Sequence, residues 1–191
     1  MATSNYHHGD LRAAAVATGL RMLGERSADA LGLRELAREL GVSATALYRH
    51  FPNKTALLSA LAAEGVEALG KAQRQANKKA GGGENGFTAM GIAYVEFAIS
   101  NPALFRLMSR HAADIDLLEG DIDTVGSAMR GLRETVAGLT PAAMSARSRT
   151  AVALRSWSLV HGLACLILDG KIEYDAAMVR KVLSSRSVLN D

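Results

Sequence analysis

The chain has 191 residues, 49% of them hydrophobic and 21% charged, with a net charge of +3. This is long and apolar enough for one large domain or two small ones, and it excludes a wholly disordered or fibrous chain. The single cysteine, Cys165, excludes an intrachain disulfide.

The polar opening MATSNYHHGD has no apolar stretch of the kind a signal peptide needs. The most apolar run, residues 159–168, is broken by His161 and Gly162 and falls short of the roughly 20 residues a membrane span requires. A free thiol inside LACLIL reads as a small buried hydrophobe in a reducing compartment. The expectation is a soluble, cytoplasmic protein without a membrane partner. Charge is unevenly spread. Residues 1–80 carry 11 Lys and Arg against 7 Asp and Glu, while residues 81–191 carry 11 against 12. The positive excess of the first part points to a polyanionic partner there.

Alanine, leucine, arginine and glutamate dominate, prolines number three, and no run alternates as a strand would. The fold class is therefore all-α. A first helix is expected over 9–24, with Leu11, Ala15, Leu20 and Leu23 facing inward. A second begins at Gly32 or Leu33, and Leu33, Leu36, Ala37 and Leu40 recur at helical spacing. Gly41 ends it, because glycine accepts the left-handed conformation that follows a helix. Ser43 caps a third helix, which stops before Pro52. Asn53 caps a fourth, running into the basic stretch 71–79. The glycine-rich segment 80–86 reads as a loop between domains, and it lacks the Gly-Lys-Ser/Thr of a phosphate loop. Further helices are expected at 87–100, 102–113, 117–138, 141–169 and 174–187, with Pro102 and Pro141 in first turns. The acidic break 112–121 reads as a loop and turn.

The second helix, the turn Gly41-Val42-Ser43 and the short third helix form a helix-turn-helix, a shape whose second helix can enter the DNA major groove. Leu36, Ala37, Val42 and Leu47 supply its internal core. Ser43, Tyr48, His50 and Lys54 can donate to phosphates, and Lys54 lies in a helix first turn that already favours anions. Ala44 and Thr45 are small enough to let the helix sit deep, and Arg49 can reach a guanine edge. The bland alternative for Tyr48 and His50 is packing. His7 and His8 form either an arm on the backbone or a solvated end, and two adjacent histidines do not make a metal site.

The segments YHHGDLRAA and LRELARELGVSATALYRHFPNKTALLSAL resemble the DNA-binding domain of TetR-type transcriptional regulators. The resemblance covers residues 6–64, within an expected domain at 6–65 whose recognition unit is about 32–51. It implies Ser43, Tyr48, His50 and Lys54 as phosphate contacts, and Ala44, Thr45 and Arg49 as base readers. By family pattern Phe51 is core. One position departs: members usually carry Ser or Thr where this chain has Gly32, which removes a side-chain cap and a phosphate contact and leaves Glu35 without a capping-box partner.

NPALFRLM at 101–108 and the run Trp157-x-x-x-His161-Gly162 resemble the C-terminal domain of the TetR subgroup named for Trp-His-Gly. That implies an effector-binding and dimerisation domain at 86–187. Trp157 and His161 are four apart and share a helix face, either as pocket wall with a polar handle or as plain core. Tyr94, Phe97, Phe105, Met108, His111 and Met129 are further effector candidates, each with plain core as the alternative, and the methionines favour a small, fairly apolar ligand. Gly162 would let another helix come close. Ala151, Leu154, Ser158, Cys165 and Met178 are expected dimer contacts. No nucleophile elbow, metal-ligand cluster or cofactor loop is present in the sequence. The expectation is a ligand-responsive repressor of a near-palindromic double-stranded operator, a homodimer with no catalytic residue, metal or cofactor.

Overall fold

The computed structural model describes residues 8–25, 28–111 and 126–184, without the side chains of residues 8–10. Its regular elements are helical, and no strand occurs among the described residues. They are α1 (His8–Glu25), a 3-10 turn (Ala28–Ala30), α2 (Leu33–Leu40), α3 (Ala44–Tyr48), α4 (Lys54–Lys79), α5 (Gly83–Ser100), α6 (Pro102–His111), α7 (Ser127–Leu139), α8 (Ala146–Leu168) and α9 (Ala176–Val182). The chain divides into two compact units. The first is Met1–Gly65 with Ala103–Ala113, and the second is Val66–Pro102 with Asp114–Asp191. The boundary thus falls inside α4, and nearly all of α6 counts with the first unit.

Local chemistry explains most helix ends. Gly41 adopts φ 67°, donates to Arg38 O at 3.2 Å, and is followed by Val42 donating to Ala37 O at 3.0 Å. This pair of bonds satisfies two carbonyls that the end of α2 would otherwise orphan. Ser43 Oγ accepts the Ala46 N–H at 3.2 Å, and Asn53 Oδ1 accepts the Ala56 N–H at 2.8 Å. Gly32 adopts extended angles at the start of α2 and supplies no side-chain cap, as the sequence requires.

Three segments differ from expectation, one of them the last helix, which spans Ala176–Val182 rather than 174–187 and ends at its C-cap Leu183. The stretch 80–86 is only partly loop, because α5 starts at Gly83. Gly81 at φ 83° closes α4 with a bond to Lys78 O, and Gly82 bonds to Asn77 O, so the reversal needs few residues. Gly86 then lies so close to Asn77 that a Cβ would collide with it. Pro141 does not open α8. It begins a turn closed by Met144 N–H to Pro141 O at 2.9 Å, and Ser145 caps the helix instead by accepting the Ser148 N–H at 3.1 Å. A hydroxyl that satisfies an orphan donor outcompetes a proline that merely lacks one. The acidic break 112–121 and the first part of the helix expected at 117–138 lie outside the described residues, as do His7 and residues 185–187.

The core of the first unit gathers Leu11, Ala15, Leu23, Leu36, Leu47, Phe51, Leu57, Leu61 and Leu107, all buried. In the second unit α5 and α7 pack on α8, with Phe87, Val136 and Ala153 buried together. Gly70 of α4 sits against the start of α7, where an added Cβ would overlap Ser127 Oγ and come within 2.8 Å of Ala128 N and 2.9 Å of Ser127 C. Backbone cannot yield as a side-chain tip can. Gly70→Ala is therefore expected to cost about 1–3 kcal/mol, read as a lower midpoint for the second unit in urea unfolding. Gly138→Ala, with open space at its Cβ position, serves as the matched control.

Candidate nucleic-acid interface

The turn geometry presents α3 by its polar side. Leu47 is fully buried and Phe51 is 1% exposed, so these two residues fix the helix and the corner after it. Thr45, Tyr48 and Arg49 are exposed, Tyr48 at 43%, and Ser43 is exposed at the N-terminus. Ala44 is half-buried and packs on the core, so only part of its methyl faces outward. His50 is half-buried, its backbone N–H bonded to Leu47 O at 3.0 Å. Ser43 spends one lone pair on the Ala46 N–H and retains its own O–H for an outside acceptor.

Lys54 carries a feature that local sequence could not reveal. Its Nζ donates to the backbone carbonyl of Asp29, 25 residues earlier, at 2.6 Å. The bond ties the first turn of α4 to the 3-10 turn just before α2. An ammonium has three donors, so two remain for phosphate oxygens. Arg21 of α1 is engaged differently, paired with Glu39 of α2 and with Glu25. Arg38 pairs with Glu35 at 3.7 Å. The exposed cations on these flanks are thus partly neutralised, while Arg49 has no ion pair among the described residues.

The effector candidates divide between the units. Phe105 and Met108 are buried in the first unit, where Met108 lies over Gly65. Trp157, His161, Phe97 and Met129 belong to the second unit. There Trp157 and His161 share a face of α8, ring centroids 5.7 Å apart, and both meet Tyr94 of α5. The Trp157 Nε1–H donates to the Tyr94 hydroxyl at 3.3 Å, and that hydroxyl and His161 Nδ1 share a hydrogen bond of 2.9 Å. Tyr94 is the residue that joins the pair. It is 6% exposed, and burial pushes its phenol up to about 12. Phe97 is half-buried and Met129 buried. Gly162, expected to receive a neighbouring helix, faces open space within this chain.

Burial also holds the His161 imidazole below its ordinary 6.5. The folded state then binds fewer protons than the unfolded chain just below that pH, so stability rises with pH through this window and is lost on acidification. The melting temperature of the chain is expected to fall as pH drops below 6.5. In His161→Phe that part of the profile should flatten.

An exposed short helix after a tight turn, carrying hydroxyl, phenol and guanidinium groups, has the form of a helix-turn-helix, a shape that can enter the DNA major groove. The comparisons agree with this class. The family model of bacterial regulatory proteins, tetR family, matches residues 15–61, and the Tetracyclin repressor-like C-terminal domain matches residues 87–184. The chain belongs to the TetR family of transcriptional regulators, and its N-terminal domain is the DNA-binding one. Among solved structures, a protein of unknown function from Rhodococcus sp. RHA1 is 28% identical, with 97% of this chain and 99% of that one covered at a TM-score of 0.77. A tetR-family transcriptional regulator from Streptomyces coelicolor shares the fold at 19% identity, covering 99% and 82% of the two chains with a TM-score of 0.67. A TetR transcriptional regulator from Rhodococcus sp. RHA1 does so at 17% identity, covering 93% and 96% with a TM-score of 0.59.

Proposed function

We propose that this regulator is a homodimeric repressor that leaves a near-palindromic operator when a small, fairly apolar effector binds its second unit. The observation that carries the DNA part is the outward set Ser43, Thr45, Tyr48 and Arg49 on a helix anchored by Leu47. Ser43, Tyr48, His50 and Lys54 hold phosphates in this reading, and Ala44, Thr45 and Arg49 read base edges. The hydrogen-bonded group Tyr94, Trp157 and His161 is the polar handle of the effector site, with Phe97 and Met129 as apolar wall. The role is binding rather than catalysis, in the cytoplasm where the chromosome lies. The run Trp157 to Gly162 is the basis for placing the chain in the Trp-His-Gly subgroup.

The dimer reading rests on α8. It is the one described helix long and apolar enough to cross a membrane, and 17% of its most apolar window is buried within the chain. Its exposed stripe, Ala151, Leu154, Ser158, Gly162 and Leu166, recurs at three- and four-residue spacing, and Met178 of α9 is 54% exposed. A second copy of α8 would cover this stripe around a two-fold axis, with Gly162 allowing close approach. A DNA-binding regulator gains nothing from inserting that helix in a bilayer. Ser158→Arg is expected to give a monomer by light scattering and to lose the affinity that two half-sites provide.

Effector binding then shifts the population between two separations of the recognition helices, only one of which fits the operator. The test is operator affinity measured across a panel of apolar metabolites. A ligand that lowers affinity at least tenfold in the wild type, and much less in Trp157→Ala, supports the reading. Unchanged affinity across the panel contradicts it.

A further inference from the structure

We infer that Arg12, on the first turns of α1, is an additional phosphate clamp of the DNA-binding surface, held in place by Phe51. This rests on the reading of α3 and its flanks as the DNA contact. The guanidinium carbon of Arg12 lies 5.5 Å from the centroid of the Phe51 ring, over its face. Phe51 is 1% exposed and sits at the corner between α3 and α4, immediately after His50 and three residues before Lys54. A cation seated on this ring is therefore carried at the same corner as two of the residues assigned to phosphates.

Three features separate Arg12 from a solvated surface charge. It is exposed, so its charge faces outward. It has no ion pair among the described residues, whereas Arg21, on the same helix, is engaged by Glu39 and Glu25. It is also held. The attraction of the cation to the ring face uses none of the five guanidinium N–H donors. A side chain already fixed in this way loses less freedom on binding than a free one. The planar fork suits two oxygens of one phosphate. Arg12 lies within the segment YHHGDLRAA, but that segment by itself assigns it no role, because its partner ring lies 39 positions away.

The test compares Arg12→Met, which keeps apolar packing on Phe51 but removes the charge, with Arg12→Lys, which keeps the charge. Arg21→Met is the control. Binding to a mixed-sequence DNA duplex and to a duplex selected from random DNA is measured at several salt concentrations. One phosphate contact contributes about 0.9 to the slope of log affinity against log salt, so about eightfold in affinity at 0.1 M salt. Arg12→Met should lose about that much slope and affinity on both duplexes, while Arg12→Lys and Arg21→Met keep the wild-type slope. A wild-type slope in Arg12→Met, beside a salt-dependent wild type, overturns the inference and leaves the DNA-contact surface standing. A role in packing alone would appear as a lower melting temperature with the slope intact, and it also overturns the inference. A wild type whose binding to both duplexes ignores salt overturns both the inference and the surface on which it rests.

Discussion

Phe51→Ala is expected to destabilise the first unit by about 3–5 kcal/mol, the cost of removing a large aromatic from a closed core. Phe51 is 1% exposed and packs in one cluster with Leu11, Leu36, Leu47, Leu57 and Leu61. The loss is large because α3 has only five residues, Ala44–Tyr48. A helix of that length does not persist by propensity and depends on packing and on its cap. Against a total domain stability of about 5–15 kcal/mol, the change is enough to melt the recognition unit at moderate temperature. Urea unfolding should show a much lower midpoint, and operator binding should vanish with the structure. Phe51→Leu, which keeps much of the volume, should retain most of both. A Phe51→Ala variant of wild-type midpoint would contradict this account of the corner.

Combining Tyr48→Phe with Lys54→Ala is expected to abolish most operator binding while leaving the fold standing. The two changes act differently. Removing a phenol that donates to a charged phosphate costs about 1.5–3 kcal/mol and leaves the salt slope unchanged. Removing the Lys54 ammonium lowers the slope by about 0.9 and the affinity about eightfold at 0.1 M salt. Together they amount to a loss of roughly two to three orders of magnitude, spread evenly over sequences because phosphates carry no base identity. The Lys54 bond to the Asp29 carbonyl adds a structural component, visible as a modest drop in melting temperature of the single Lys54→Ala variant. Unchanged affinity and slope in the double variant would show that these side chains do not face DNA.

The helix-turn-helix was legible because its chemistry is local. Gly41 could be read as a helix stop, and Ser43 and Asn53 as caps, since each acts on backbone groups within three or four residues. The burial of Leu36, Ala37 and Leu47 followed from their spacing. Long-range pairings were not legible. The bond from Tyr94 to His161 joins positions 67 apart, and that from Lys54 to Asp29 joins positions 25 apart. Nothing in either neighbourhood announces the other. Tyr94 was legible as a pocket candidate, but its position between Trp157 and His161 is a product of how α5 packs on α8. Pro141 and the 80–86 stretch misled for a different reason. Each matches a common local rule, and each yields to a competing local bond, the Ser145 cap in one case and the closed end of α4 in the other.

Whether α3 of a two-fold dimer reads operator DNA is answered by selecting bound duplexes from random-sequence DNA with the full chain. Enrichment of a near-palindrome whose half-sites are centred about one helical turn apart, or a multiple of it, is expected. The enriched sequence should lose its preference in Thr45→Ala combined with Arg49→Ala, which leaves the phosphate contacts in place. A pool that shows no enriched sequence, or one whose preference survives that double substitution, would contradict that role of α3.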